Sequence, residues 1–85
     1  MIYLGPVRRT TRTADWPYNR WCCLYGDSER EMIEFVARLT PDRRAIQAGR
    51  TRPYIRITAT ERAAAIRWGA TSIDDGQAYE AWLED

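Results

Sequence analysis

The chain has 85 residues, 45% of them hydrophobic and 29% charged, which is enough for one domain with one core. Its 13 basic and 12 acidic residues give a formal charge of +1, which excludes a uniformly cationic coat for nucleic acid. All basic residues are arginines and there is no histidine. This composition excludes Ser-His-Asp and Cys-His catalysis, Schiff-base lysines, lysine-containing phosphate loops and His-ligated metal centres.

No targeting or membrane segment is predicted. The longest unbroken apolar run, 21–25, is far shorter than the ~20 residues of a membrane helix. The N-terminus lacks the basic and apolar regions of a signal peptide, and the adjacent Cys22 and Cys23 do not form a secreted disulfide framework. We therefore expect a cytoplasmic protein without membrane partners, located in the host cytoplasm if a phage encodes it.

The first quarter of the chain predicts two strands separated by a loop. Residues 2–4 are predicted to form a short strand that ends at Gly5-Pro6. The 7–19 segment is polar and has neither a strand period nor a helix period, so it is predicted to be a loop. The apolar run over 20–25 is bounded by turn residues, which indicates a buried strand.

A helix is predicted over 28–39. Ser28 and Glu31 form a capping box at its start. Four apolar side chains then follow at i, i+3, i+4 and i+7: Met32, Phe35, Val36 and Leu39. Pro41 ends the helix, because the residue before a proline is disfavoured in the α region.

A hairpin is predicted next, with strands over 43–47 and 53–58 joined by a loop over 48–52. The second strand places two isoleucines on one face and two polar residues on the other: Ile55 and Ile57, then Tyr54 and Arg56.

A second helix is predicted from Thr58 to Trp68, because Thr58 and Glu61 form another capping box and Gly69 is a helix stop. Its inner stripe is predicted to be Ala59, Ala63, Ile66 and Ala70. A short strand over 71–73 and a turn at Asp74-Asp75-Gly76 follow, and 77–85 is predicted to be a C-terminal turn and tail.

These elements predict a single α+β domain over 1–85, with a small mixed β-sheet and two helices packed on one face. The other face is then left for solvent, a partner or a second copy.

Short motifs between about residues 20 and 73 also resemble a known family. They are Trp21-Cys22, Leu24, Asp27, Glu31, Phe35, Ala37, Leu39, Arg43-Arg44, Gln47, Gly49, Arg52-Pro53, Thr58, Arg62-Ala63 and Gly69-Ala70. In this order they resemble a small family of bacteria and their phages known as domain of unknown function 4031. Members of that family have histidine at the position of Cys23, a His-Tyr-Asp run at 54–56, and acidic residues at 4–6. The resemblance implies the fold of a divergent member without inherited metal or hydrolytic chemistry.

The Cys22-Cys23 pair is predicted to be structural. Adjacent strand residues point to opposite faces, so both thiols cannot easily bind one metal ion. We expect one thiol in the core and one half-buried, with a reactive thiolate activated by arginine or a helix dipole as the enzymatic alternative. The sequence therefore predicts no catalytic residues, no metal and no cofactor.

Charge is unevenly distributed along the chain. Residues 43–67 contain seven arginines and one glutamate, whereas 68–85 contain five acidic residues and no arginine. The basic segment predicts a phosphate-binding ridge with a tyrosine beside it to stack on a base: Arg43, Arg44, Arg50, Arg52, Tyr54 and Arg56. The alternative is that these arginines pair with the acidic segments of the same chain.

The predicted function is a small non-enzymatic binding protein of phage or prophage type that binds nucleic acid or a nucleotide. The alternative is a protein–protein interaction module, an inhibitor of a host protein or a homodimer. That alternative requires an exposed surface rich in arginine and tryptophan, made by Arg8, Arg9, Trp16, Trp21 and Trp82.

Overall fold

The computed structural model describes residues 1–84, which contain five strands and three helices. The strands are β1 (Ile2–Leu4), β2 (Arg8–Arg9), β3 (Arg20–Gly26), β4 (Ile55–Thr58) and β5 (Thr71–Ser72). The helices are α1 (Glu29–Leu39), α2 (Ala59–Arg67) and α3 (Gly76–Glu84). The mixed sheet with its helices confirms the predicted α+β class. No helix in this part of the chain combines the length and the hydropathy that crossing a bilayer requires.

The sheet is built around β3. β4 pairs antiparallel with one edge of β3, and β1 and β2 pair antiparallel with the other. Leu4 lies opposite Leu24, and Arg8 lies opposite Trp21. Three residues, 5–7, therefore lie opposite only two residues of β3, 22 and 23. The segment between β1 and β2 forms a β-bulge there. β5 completes the sheet by pairing parallel with β1.

The hairpin between β2 and β3 corrects the prediction of a loop over 7–19. Arg8–Arg9 form β2, and the backbone N–H of Thr10 donates to the carbonyl of Asn19 at 2.9 Å. Both residues of β2 are exposed, so this strand lacks the apolar–polar alternation by which a strand is recognised in a sequence.

The first face of the sheet packs against α1 and α2 and holds the main core. Alternate residues of β1, β3 and β4 are at most 6% exposed on this face: Ile2, Leu4, Cys22, Leu24, Ile55 and Ile57. Met32 and Val36 of α1 and Ala65 of α2 belong to the same cluster. The prediction of two helices on one face is confirmed.

The capping box predicted for α2 is found in full. At the start of α1 the predicted box forms in part, because the Glu31 carboxylate accepts the backbone N–H of Asp27 at 2.8 Å instead of that of Ser28. In α1, the Ser28 hydroxyl accepts the backbone N–H of Glu31 at 3.1 Å. In α2, the Thr58 hydroxyl accepts the N–H of Glu61 at 3.1 Å, and the Glu61 carboxylate accepts the N–H of Thr58 at 2.8 Å. Gly69, with a φ of +97°, ends α2 as predicted.

The buried side of α2 differs from the predicted stripe. Ala63 and Ile66 are exposed, whereas Ala65 is fully buried. Thr58 is both the last residue of β4 and the N-cap of α2, so the strand sets the rotation of the helix. Because alanine dominates this helix, the apolar pattern carries little information about that rotation.

Residues 43–47 do not form the predicted strand. A single bridge joins Gln47 to Tyr54, with hydrogen bonds of 2.7 and 3.1 Å. The Arg44 side chain donates to the carbonyl of Arg56 in β4 at 3.0 Å. A side chain thus takes a backbone acceptor that a paired strand would have used, and the hairpin is reduced to one bridge.

The third helix, α3, covers part of the second face of the sheet. It extends the predicted turn of the C-terminal segment 77–85 into a full helix; residue 85 lies outside the described residues. The Asp75 carboxylate caps its start by accepting the N–H groups of Gln77 and Ala78 at 2.8 and 3.0 Å. Tyr79 and Trp82 pack with aromatic side chains of β1 and β3. The second face was predicted to be left open, but α3 covers part of it.

Candidate functional site

A cleft of about 350 Å³ lies on the second face of the sheet, where α3 leaves it uncovered. Its floor and walls come from β2, β3, the 48–52 loop, Tyr54 and α3. The lining residues are Arg8, Cys23, Tyr25, Ala48, Gly49, Arg50, Thr51, Arg52, Tyr54, Tyr79, Glu80 and Leu83.

Two buried tyrosines meet in the cleft. The hydroxyls of Tyr25 and Tyr79 lie 2.5 Å apart, and both side chains are less than 5% exposed. Gly5 permits this packing, because a Cβ atom there would lie 2.8 Å from Cε1 of Tyr79. Burial raises the pKa of both phenols, so both stay protonated at neutral pH. The pair therefore offers hydroxyl donors rather than negative charge.

Arg8 lies at the β2 side of the cleft. Its Nη2 lies 3.4 Å from the Tyr79 hydroxyl, and its Cζ lies 5.6 Å from the ring centroid of Trp21 and 5.9 Å from that of Tyr79. These contacts hold a guanidinium over aromatic rings on an otherwise exposed strand. Arg8 was predicted as an interface residue, and the structure places it in the cleft.

Arg52 connects the 48–52 loop to α3. Its Nη2 donates to the carbonyl of Trp82 at 3.1 Å, and its Cζ lies 4.1 Å from the Trp82 ring centroid. Arg50 is exposed on the same loop. Within residues 1–84, neither of them nor Arg8 has a carboxylate within 4.0 Å. Glu80 is the carboxylate among the lining residues, so three positive charges face one negative charge.

The predicted arginine ridge is divided into two groups. Arg50, Arg52 and Tyr54 line the cleft, whereas Arg43, Arg44 and Arg56 lie around Trp16. The second group lines a smaller cavity of about 170 Å³.

Arg44 is structural rather than available to a ligand. Its two terminal nitrogens donate to the two carboxylate oxygens of Glu61, each at 2.9 Å, and its side chain is 9% exposed. Burial alone would lower the pKa of Arg44, but its bonds to Glu61 raise the pKa overall. This pairing argues against Arg44 as a phosphate ligand, and that role stays a prediction. Arg62 is also paired, with Asp74 of the acidic C-terminal stretch.

One of the three tryptophans of the predicted interface is buried inside the protein. Trp16 is only 6% exposed and lies against Arg44 and Arg56, whose Cζ atoms are 5.2 and 4.8 Å from its ring centroid. Trp21 and Trp82 are half-buried. Arg9 is exposed in β2. The expectation of an exposed Trp16 anchor is thus wrong, because the 10–19 loop folds back over β4.

The two cysteines lie on opposite faces, as the strand period predicts. Cys22 is in the core beneath α1 and α2, and Cys23 lies at the floor of the cleft, 3% exposed. Burial raises the pKa of Cys22 to about 12 and also raises that of Cys23. Neither environment favours a thiolate. Among the described residues, no three Cys, Asp or Glu side chains are arranged to hold a metal ion.

The predicted site residues did not include Tyr25, Tyr79 or Glu80, which all line the cleft. Tyr25 could have been found, since it shares the second face with Trp21 and Cys23 by strand alternation. Tyr79 could not, because its position depends on how α3 packs.

Comparisons with family models, with curated proteins and with solved structures found no match to this chain. The resemblance to domain of unknown function 4031 therefore stays a prediction, and a functional interpretation depends on the cleft.

Proposed function

We propose that this chain is a small non-enzymatic binding protein that binds a phosphate-bearing ligand, a nucleic acid or a nucleotide, in the cleft. The observation that supports it is that Arg8, Arg50 and Arg52 line one cavity with no carboxylate partner among residues 1–84. Guanidinium groups bind phosphate oxygens in pairs through parallel N–H donors. The motif resemblance supports an origin in a phage or prophage, and a cytoplasmic location stays an expectation from the sequence.

The arrangement of the arginines favours binding over mere surface charge. Arg8 and Arg52 are each held by an aromatic ring and a hydrogen bond, so less side-chain freedom is lost when an anion binds. Arg50 is exposed and can reach a ligand in the cleft. Tyr54 is half-buried at the cleft wall, where its ring can contact a base or sugar.

Calorimetric titration of the full chain with AMP and with a short single-stranded oligonucleotide tests the proposal. Binding should weaken steeply as salt is added, because phosphate contacts release counterions. Arg50→Ala should weaken binding by roughly tenfold, since it removes charge-assisted hydrogen bonds. Arg67→Ala is the matched control. It removes the same charge, and Arg67 is exposed on α2, outside the cleft lining.

Two results would contradict the proposal. One is the absence of binding to either probe at low salt. The other is an equal loss of affinity in Arg50→Ala and Arg67→Ala, which would indicate general charge attraction rather than a site.

The alternative is an interaction module, a host-protein inhibitor or a homodimer. The exposed surface that favours it differs from the predicted tryptophan and arginine surface. Ile33, Ile66 and Trp68 are 52%, 41% and 48% exposed on the α1 and α2 side of the molecule. Sedimentation at increasing concentration would test self-association there. A dimer that Trp68→Ser abolishes and that added salt does not weaken would favour this alternative.

A further inference from the structure

We infer that the cleft receives a terminal phosphate, meaning the phosphomonoester at the end of a nucleotide or of an oligonucleotide, rather than a phosphodiester within a continuous strand. This inference rests on the proposed function and narrows its ligand class. It follows from the shape of the cleft, from its charge and from its hydrogen-bond donors.

The walls of the cleft are joined at two places. The Arg8–Tyr79 contact connects β2 to α3, and the Arg52–Trp82 contact connects the 48–52 loop to α3. The floor is closed by the buried side chains of Cys23 and Tyr25 in β3. A strand that continues on both sides of a phosphate needs an entrance and an exit. A terminal phosphate has one substituent and can reach the floor from the open side of the cleft.

The charge of the cleft matches a phosphomonoester. Three arginines and Glu80 give a formal charge of +2 for the lining residues. A phosphomonoester carries about −1.5 to −2 at pH 7, whereas a phosphodiester carries about −1. Glu80 also disfavours further negative charge next to the bound group. The lining is therefore balanced for one dianionic group rather than for a run of phosphates.

The donors of the cleft match the three terminal oxygens of such a group. Arg8, Arg50 and Arg52 supply guanidinium N–H groups from two sides. The Tyr25 and Tyr79 hydroxyls share one hydrogen bond, so one phenolic hydrogen remains for a ligand. Because burial raises the pKa of both phenols, this donor persists to alkaline pH.

Four probes test the inference on the full chain: AMP, adenosine, and one oligonucleotide sequence with and without a 5′-phosphate. We expect AMP to bind and adenosine not to bind. We expect the 5′-phosphorylated oligonucleotide to bind roughly tenfold more tightly than its unphosphorylated copy, since it alone makes the charge-assisted contacts. Affinity should fall as pH drops below about 6, where the phosphomonoester loses its second charge.

The outcomes separate the inference from the proposed function. Equal binding of the two oligonucleotides would overturn the inference and leave a phosphate-binding cleft in place. Binding of none of the four probes would overturn the proposed function itself. If the 5′-phosphate strengthens binding, the inference holds, and comparison with AMP shows whether a strand end or a free nucleotide fits better.

A variant of Glu80 gives a second test, which compares two ligands on the same variant and so does not depend on how much of the protein is folded. Glu80 is exposed, and Glu80→Gln should raise the affinity for ADP relative to AMP, because it removes the charge that opposes a second phosphate. Glu84→Gln, also exposed on α3 but outside the cleft lining, is the matched control. An unchanged ADP-to-AMP ratio in Glu80→Gln would contradict the charge argument.

Discussion

The two faces of the central sheet have opposite characters although the same strands form both. The first face is apolar and closed: Leu24 and Ile57 are fully buried beneath α1 and α2. The second face carries tyrosines, tryptophans and arginines around Cys23, and α3 covers it only in part. Neighbouring residues of β3 therefore serve different purposes, since side chains alternate between the faces of a strand. The first face holds the main core, and the second face holds the candidate site.

The arginines follow the same division. Arg44 and Arg62 are ion-paired and connect the sheet to the loops and helices around it. Arg8 and Arg52 are held by aromatic rings and have no carboxylate partner within residues 1–84. The amino-acid composition does not distinguish these four arginines. Only their partners distinguish a structural arginine from one that can bind a ligand.

The largest expected effect is on the first face. Leu24→Ala should lower the free energy of unfolding by about 3 to 5 kcal/mol, because it leaves a cavity at a fully buried position. Urea denaturation measures this loss. If the variant does not fold, Ile57→Val should still show a loss of about 1 kcal/mol. A loss well below about 1 kcal/mol in Leu24→Ala would contradict the assignment of this face as the core.

A smaller but substantial effect is expected at the Arg44–Glu61 pair. Arg44→Met should lower the free energy of unfolding by about 2 to 3 kcal/mol, because it leaves the mostly buried Glu61 carboxylate without its partner. Arg43→Met is the matched control. Arg43 is adjacent to Arg44 in the sequence but exposed, so its loss should change stability by less than about 0.5 kcal/mol. Equal losses in the two variants would contradict the distinction between structural and free arginines.

The two adjacent cysteines allow the two faces to be compared through the pH dependence of the free energy of unfolding. Burial raises the pKa of Cys22 from 9.0 to about 12, so the folded thiol stays neutral where the unfolded thiol ionises. The unfolded chain then binds fewer protons, and stability falls as pH rises. The loss is absent below about pH 9 and approaches about 1.4 kcal/mol per pH unit between about pH 9 and 12.

Urea denaturation at several alkaline pH values measures that slope. Cys22→Ala should flatten it more than Cys23→Ala. Burial also raises the pKa of Cys23, but the nearby Tyr25 hydroxyl and the charges of Arg8 and Arg56 oppose the shift. If Cys23→Ala flattened the slope more than Cys22→Ala, the thiol on the second face would be the more strongly desolvated of the two.

Local signals predicted most of the first face. The N-cap residues Ser28 and Thr58 located α1 and α2, because each accepts the N–H of a glutamate three residues along the chain. Alternation in β3 and β4 assigned Ile55, Ile57 and the two cysteines to their faces. Such signals depend on neighbours in the chain, so they can be found without knowing the packing.

The second face could not be predicted in the same way. The Arg44–Glu61 pair joins residues 17 apart, and the Tyr25–Tyr79 pair joins residues 54 apart. The cleft exists because α3 packs across the sheet, and nothing within 77–85 specifies where that helix lies. The prediction of a phosphate-binding segment included Arg50, Arg52 and Tyr54, but which arginines remain unpaired depends on these long-range contacts.

The smallest effect on stability is expected from the tyrosine pair, and it separates the two roles of the second face. Tyr25→Phe removes the hydroxyl that bonds to Tyr79 and should cost about 1 kcal/mol of unfolding free energy. The ring contacts with Trp82 and Tyr54 remain, so the cleft keeps its shape. If the phenols serve a ligand, AMP affinity should fall several-fold while the melting temperature changes by only a few degrees. Unchanged AMP affinity would show instead that the hydroxyl pair only stabilises the packing of α3, and that the arginines alone form the site.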